Sequence, residues 1–516
     1  MIHRSKVLPL AAALVAALVV PLAGTASAQA PLRGTTGTAG IGDPYFPLDG
    51  NGGYDVAGYD LDLRYDPRTD RLSGKAVVTA RATQNLSAFN LDFQGLTIRS
   101  ITVNGKPATW SRRGGELTVR PTAALAQGSA FTVAVTYDGV PQTIGDPLLG
   151  VSGFIHTDDG AIVAGQPDVA ATWFPANDHP RDAATFELSI AVPNGTEALS
   201  NGVLLGKQTA SGWTTWNWRA AEPMATYLAT LAVGQFDVRQ YQRNGIRFWD
   251  ALDPDLYRMP TVLDPYDPDR PTLGEIAEGS LARQPEIIRF LADFAGNPYP
   301  FTASGGIVDD VEELGFALET QTRPVYSPLF FQYDALNGDL VVVHELAHQW
   351  FGDDLRLKRW QDIWLNEGFA TYSEWLWLER EGLITVQEIF DIITAIPADD
   401  PYWDVATGNP GPADLFDYEA VYERGGLVLH ALRLAVGDRA FTRIVDQWAA
   451  SQSGDTVTTD EFIALAERVA GRQLDALFHE WLFTAAKPAS LGSADTAAAA
   501  TAVPGRPGAG SAPGRR

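Results

Sequence analysis

From Tyr45 to about Arg239, apolar and polar residues alternate with a period of two, as in Tyr59–Asp66 (YDLDLRYD) and Ala76–Thr83 (AVVTARAT). Successive side chains of a strand face opposite sides of its sheet, so this pattern predicts strands with one buried face. Asn104-Gly105 and Arg113-Gly114-Gly115 supply turns between them. A Pro- and Asp-rich connection, Asp253 to Pro271, leads into a region where the apolar period becomes helical. There the pattern predicts a helix around Leu273 to Phe294, short strands, a helix bearing Val341 to Phe351, another over Asp362 to Glu379, and C-terminal helices to Phe483. The order predicts a multi-domain fold, an all-β domain over 41–240 followed by an α+β domain over 241–488. With 45% hydrophobic residues in 516, both can bury a sizeable core.

The two ends read differently. Arg4 and Lys6 precede an apolar run from Val7 to Leu22, and Ala26-Ser27-Ala28 follows as a small-residue cleavage pattern. The run is shorter than the roughly 20 residues of a spanning helix, so residues 1–28 are expected to be a secretory signal peptide rather than an anchor. A secreted, extracellular protein with no stable membrane insertion after cleavage follows from that expectation. From Ala489 to Arg516 the chain is mostly Ala, Gly, Pro and Ser, a composition that buries no core, and both this tail and residues 29–40 are expected to be disordered. There is no cysteine, which excludes disulfides and a lipoprotein anchor. The formal charge is −25, and loss of Arg4 and Lys6 with the leader makes it about two units more negative. Such a surface repels nucleic acid and anionic membranes and attracts cationic peptide amino termini. Asp309, Asp310, Glu312 and Glu313 form its densest local run, which reads most simply as a solvated loop face.

The chemistry concentrates at His344-Glu345-Leu346-Ala347-His348 and at Glu367 in the segment WLNEGFATY. On a helix, residues four apart share a face, so both imidazoles can reach one ion while Glu345 points about 100° away. A carboxylate at that offset suits the base of a metalloprotease, taking a proton from water that the ion has acidified. The bland alternative is an amphipathic turn with two core histidines. Only 7 histidines occur in the chain, and the flanking Val341, Val342, Val343, Trp350 and Phe351 predict a buried helix in which unpaired imidazoles would be costly. Glu367, on the next predicted helix, completes a ligand set for one Zn2+ per chain.

This motif with a glutamate 18 intervening residues later resembles the gluzincin aminopeptidases, the family of alanyl aminopeptidases and leukotriene hydrolases. Four further blocks in the family order extend the resemblance over roughly Tyr45 to Pro488: Ala164–Gly202, Gly315–Tyr326 (GFALETQTRPVY), Ala420–Arg433 (AVYERGGLVLHALR) and Leu477–Pro488. It implies a saddle-like N-terminal β domain, a thermolysin-like catalytic domain, and a short secreted bacterial form in which the long C-terminal helical domain of many relatives does not follow. It also implies roles. Glu319, with Gln166, stands where the family binds the substrate's α-ammonium, and Tyr422 where a phenol donates to the oxyanion. Phe316 and Ala317 lie beside the pocket for the first side chain, and Phe316 replaces a small residue there, which alters the expected specificity. Glu374, seven residues after Glu367 on the same helix face, can orient a ligand histidine.

The resulting expectation is a zinc aminopeptidase acting on peptides with a free N-terminus. Glu345 is the base, Tyr422 the oxyanion donor, and Glu319 with Gln166 the anchor of the amine. An endopeptidase with an open cleft and a non-catalytic peptide-binding relative remain the alternatives. Oligomeric state has no signature in the chain.

Overall fold

The structure, a computed structural model, describes residues 33–146, 150–263, 267 and 269–489. The predicted leader over 1–28 and the tail beyond 489 lie outside the described residues. The alternating stretches form strands as the pattern predicts. Tyr54–Asp66 and Arg71–Ala82 pair antiparallel, with Tyr59, Leu61, Leu63 and Tyr65 buried and Asp60, Asp62 and Arg64 facing outward. Each such buried side chain contributes about 1.5–3 kcal/mol, which is why the register cannot slip by one residue. These two strands sit in the middle of an eight-stranded sheet whose one parallel pair is Tyr54–Asp66 with Ala184–Pro193. A five-stranded sheet contains Gly150–His156 and Ala161–Ala164, and its exit places Gln166.

A four-stranded sheet opens the second region: Asp237–Arg243, Ile246–Leu252, Ala303–Val308 and Val325–Tyr326, the last three parallel. Residues up to 240 were expected in the β domain. Instead Asp237–Arg243 turns back at Asn244-Gly245, both with positive φ, and pairs with Ile246–Leu252. Nine α-helices are present among the described residues: α1 (Leu273–Ala282), α2 (Gln284–Ala295), α3 (Ala335–His348), α4 (Trp364–Arg380), α5 (Val386–Thr394), α6 (Arg424–Val436), α7 (Asp438–Gln452), α8 (Thr459–Ala470) and α9 (Asp475–Leu482). The single helix expected over Leu273 to Phe294 is thus two. Pro285 cannot donate to the preceding turn and starts α2 instead. Asp362 likewise ends a short 3-10 turn rather than opening α4, and its carboxylate accepts from Thr459 at the start of α8.

Residues 33–40 correct the expectation of disorder. Thr35–Thr36 pairs in parallel with Leu86–Ala88, and Asp43 accepts from the Trp360 amide at 2.9 Å, so the segment runs from the β region onto the helical one. A Thr- and Gly-rich stretch has no apolar pattern to announce this. Its order comes from backbone bonds such as Gly37 N to Ala88 O at 2.9 Å.

One apolar core runs through both regions. At their junction the fully buried Arg323 donates to Trp249 O (2.7 Å), Ser304 O (2.9 Å) and Gly202 O (2.9 Å), joining a turn of the β region to the parallel sheet. Deeper in the helical region α4 crosses α6 with Gly368 against Gly425. A Cβ on Gly425 would lie 2.7 Å from the Gly368 Cα. The contact sets how closely the helix bearing Glu367 approaches the one that follows Tyr422. Gly425→Ala is expected to destabilise the fold by about 1–3 kcal/mol through this overpacking, read as a lower denaturant midpoint at unchanged m-value.

Candidate active site

α3 carries His344 and His348, and α4 carries Glu367 and Glu374, with the two helices packed side by side. Asp334 caps α3 by accepting from Asn337 N at 3.0 Å, and the helix stops at His348, whose Nδ1 meets the Phe351 carbonyl at 3.1 Å. The Nδ1 of His344 meets Glu374 Oε1 at 2.6 Å. With both Nδ1 atoms engaged, both Nε2 atoms turn to one place. They lie 3.3 Å (His344) and 3.2 Å (His348) from the same oxygen of Glu367.

Ligand atoms of these three residues all lie within 4.8 Å of one another. Two imidazole nitrogens and a carboxylate oxygen at that spacing fit the three protein ligands of a catalytic zinc, and the fixed Nδ1 partners leave the correct nitrogens for it. The electrostatics make the same point. Burial raises the Glu367 carboxyl, but the charges and hydrogen bonds of His348 and His344 outweigh it and hold the group down at about 2. Burial lowers His348, yet Glu367 overcomes this and lifts the imidazole to about 9. Glu367 thus calls for positive charge at this point, which a divalent ion held by the three ligand atoms would bring.

Glu345 is buried beside this triad. Burial pushes its carboxyl up to about 8, against the opposing charges of His344 and His348 and with those of Glu319 and Glu367. Across the cavity, Gln166 Nε2 and the Tyr227 hydroxyl donate to Glu319 Oε1 at 2.7 and 2.8 Å, and Gln349 Nε2 donates to the Glu319 carbonyl at 3.0 Å. Both side-chain bonds fall on one oxygen, Oε1. Tyr422 lies in a π turn, Tyr418–Glu423, just before α6, and its ring stacks on His344 at 5.8 Å and 18°. Burial, then the charges of Glu367, Glu319 and Glu345, push its phenol well above 10, so it stays a donor.

His344, Glu345, His348, Glu367, Glu374, Glu319, Gln166, Phe316, Ala317 and Tyr422 all line a single cavity of about 480 Å³, with Phe330, Leu340 and Phe416 adding apolar wall. The structure therefore brings together every residue that the sequence proposed for the zinc and substrate site. Tyr227, Gln349 and Asp353 went unrecognised. Tyr227 sits in a 3-10 turn of the β region, 92 residues from its partner Glu319, with no local signal. Gln349 directly follows the motif, and its place after an apolar-flanked helix end was the one available cue. Asp353 is fully buried, its carboxylate oxygens have no hydrogen-bond partner among the described residues, and burial, then Glu319 and Glu345, push its carboxyl well above its usual range.

Comparison with known proteins follows the same two regions. A model described as the Peptidase M1 N-terminal domain matches residues 56–228, and one described as the Peptidase family M1 domain matches residues 281–481. The chain belongs to peptidase family M1. It is similar to Aminopeptidase N of Lactococcus lactis subsp. lactis, at 25% identity over 82% of this chain and 50% of that protein. It is also similar to the glutamyl aminopeptidase of Rattus norvegicus, at 23% identity over 82% of this chain and 46% of the other. The chain spans about half the length of the curated relatives it matches. Among solved structures it resembles the M1 zinc metallopeptidase of Deinococcus radiodurans, with 28% identity and a TM-score of 0.74 over 86% of this chain and 96% of that one. A mutant of that protein bound to a Tyr-Ser-Ala substrate matches with a TM-score of 0.73 at 28% identity, over 86% of this chain and 97% of that one.

Glu374 has a checkable part in this M1 site. Glu374→Gln replaces the carboxylate that holds His344 Nδ1, and the expected result is metal binding weakened about 10–100-fold, measured as metal content retained across a series of chelator concentrations.

Proposed function

We propose that this protein is an exported zinc aminopeptidase that removes the first residue of peptides with a free amino terminus. It would hold one zinc ion per chain at His344, His348 and Glu367. When bound there, the ion supplies Lewis acidity to a water molecule and to the scissile carbonyl. Glu345 takes the proton from that water onto its carboxylate and passes it to the nitrogen of the leaving amine. Tyr422 donates its hydroxyl to the oxygen on which negative charge develops. Glu319 and Gln166 accept from the α-ammonium, and that fixes which peptide bond meets Glu345.

The observation that carries the reading is the pairing of Glu319 with Gln166 at 2.7 Å on the wall of the cavity that holds the triad. A pair of acceptors there selects a cation, and a free amino terminus is the cation a peptide offers at that distance from its first carbonyl. The ring of Phe316 in the same wall argues against importing the specificity of relatives that have a small residue at this position. Export rests on the charged, apolar and small-residue sequence of residues 1–28.

Aminoacyl-anilides and peptides should be cleaved in a chelator-sensitive way, and their N-acetylated counterparts should not. Cleavage of blocked peptides at comparable rates would hand the reading to an endopeptidase with an open cleft. Two variants check the division of labour. Glu345→Gln should lower kcat by about 10²–10⁴ with metal content unchanged, and Tyr422→Phe by about 10²–10³ with KM little altered. Steady-state kinetics beside metal analysis distinguishes both from misfolding.

A further inference from the structure

A stack of three rings leads away from the ligand triad. Tyr418 opens the π turn that also holds Tyr422, and the two residues lie four apart, about one turn, so their side chains share a face. Their rings stack at 5.7 Å and 27°, and Tyr422 stacks in turn on His344. Asp417 fixes the start of the turn. Its carboxylate accepts from Ala420 N at 2.9 Å, and its carbonyl accepts from Val421 N at 2.9 Å. The backbone that carries Tyr418 is therefore held from both sides of the ring's own position.

Tyr418 is nevertheless 61% exposed, although it lines the cavity. A lone exposed aromatic needs no explanation on a protein surface. This one differs in its place, on the wall of the site and with Tyr422 as its one ring partner among the described residues. Exposure also rises along the course that a bound peptide must take. Glu319, at the amine end, is 2% exposed, Tyr422 is half-buried, and Tyr418 is open. A substrate with its ammonium at Glu319 and its first carbonyl at Tyr422 can continue only outward. Its next Cα lies about 3.8 Å further on, a step short enough to bring the second side chain against the ring that stacks on Tyr422. The chemistry of the wall there is apolar. Phe416, two residues before Tyr418, adds another ring, Glu374 adds an acid, and no Lys or Arg is among the described residues that line the cavity.

We propose that Tyr418 is a specificity residue that stacks on the side chain following the scissile bond, favouring an aromatic or large apolar second residue over glycine or an acid. This rests on the aminopeptidase reading above and extends it from the first residue of the substrate to the second. Stacking on one exposed ring gives about a threefold to tenfold preference. The contact is the same before and during bond cleavage, so it is read in KM rather than in kcat.

The test is steady-state kinetics of the full-length, zinc-loaded protein on tripeptides X-Phe-Ala, X-Gly-Ala and X-Glu-Ala, where X is the residue released fastest from aminoacyl-anilides. The simple amide of X, which has no second side chain, is the reference. The expected result is kcat/KM for X-Phe-Ala at least about threefold above X-Gly-Ala, with X-Glu-Ala below both. Tyr418→Ala should raise KM for X-Phe-Ala about threefold to tenfold, and by at least about threefold more than it changes KM for the amide. Tyr418→Phe should keep the preference, because the ring and not the hydroxyl makes the contact. A wild type indifferent to the second residue, or a preference that survives in Tyr418→Ala, overturns the proposal. So does an equal loss of kcat on the tripeptide and the amide, which would make Tyr418 only a support for Tyr422. Failure to cleave any free-amino substrate, or equal cleavage of the N-acetylated forms, is a separate outcome that defeats the aminopeptidase reading and this proposal with it.

Discussion

Carboxylates crowded into a space with little water repel one another, and the construction around the cavity answers that repulsion. Glu367 lies against two imidazoles, Glu319 accepts from two neutral donors on one oxygen, and Glu374 meets the far side of His344. Burial raises the carboxyls of Glu345, Asp353 and Glu319 alike. A divalent ion at the triad relieves all of these at once, because its field acts on every acid around it. The site thus gathers negative charge, which suits both a bound divalent ion and a group that arrives as an ammonium.

Holding that arrangement requires rigid supports on three sides. α3 presents its two histidines from one face because an apolar run buries the remainder of the helix. α4 is held close by the Gly368–Gly425 contact, which leaves no room for a side chain between backbones. The β region contributes Gln166 and Tyr227, so the surroundings of Glu319 are assembled from parts of both regions. The β region therefore supplies part of the cavity's lining and support, Gln166 in its wall and Tyr227 on Glu319.

Local chemistry was legible in the sequence wherever the spacing itself carried the geometry. The offset of four from His344 to His348, and of seven from Glu367 to Glu374, determines which atoms face which. The helix break at Pro285 was equally local and was overlooked because the apolar period continues across it. Glu319 and Gln166 are 153 residues apart, and no pattern in the chain points from one to the other; the resemblance supplied the pair. Tyr227 was hidden for the same reason. The ordered segment at 33–40 was missed because its hydrogen bonds are made by backbone, which composition does not report.

Arg323 ties these threads together at the junction. Its guanidinium is buried against Trp218 and Trp249 and finds its acceptors on Gly202, Trp249 and Ser304. A chain in which the helical region had condensed alone would bury that ion with one branch unanswered, so half-formed states are penalised and the two regions gain their order together. The same knot limits how such proteins can be recombined in evolution. A crossover anywhere between Gly202 and Arg323 would bring a guanidinium from one parent to a turn from the other, and only parents that agree on both would yield a folded descendant.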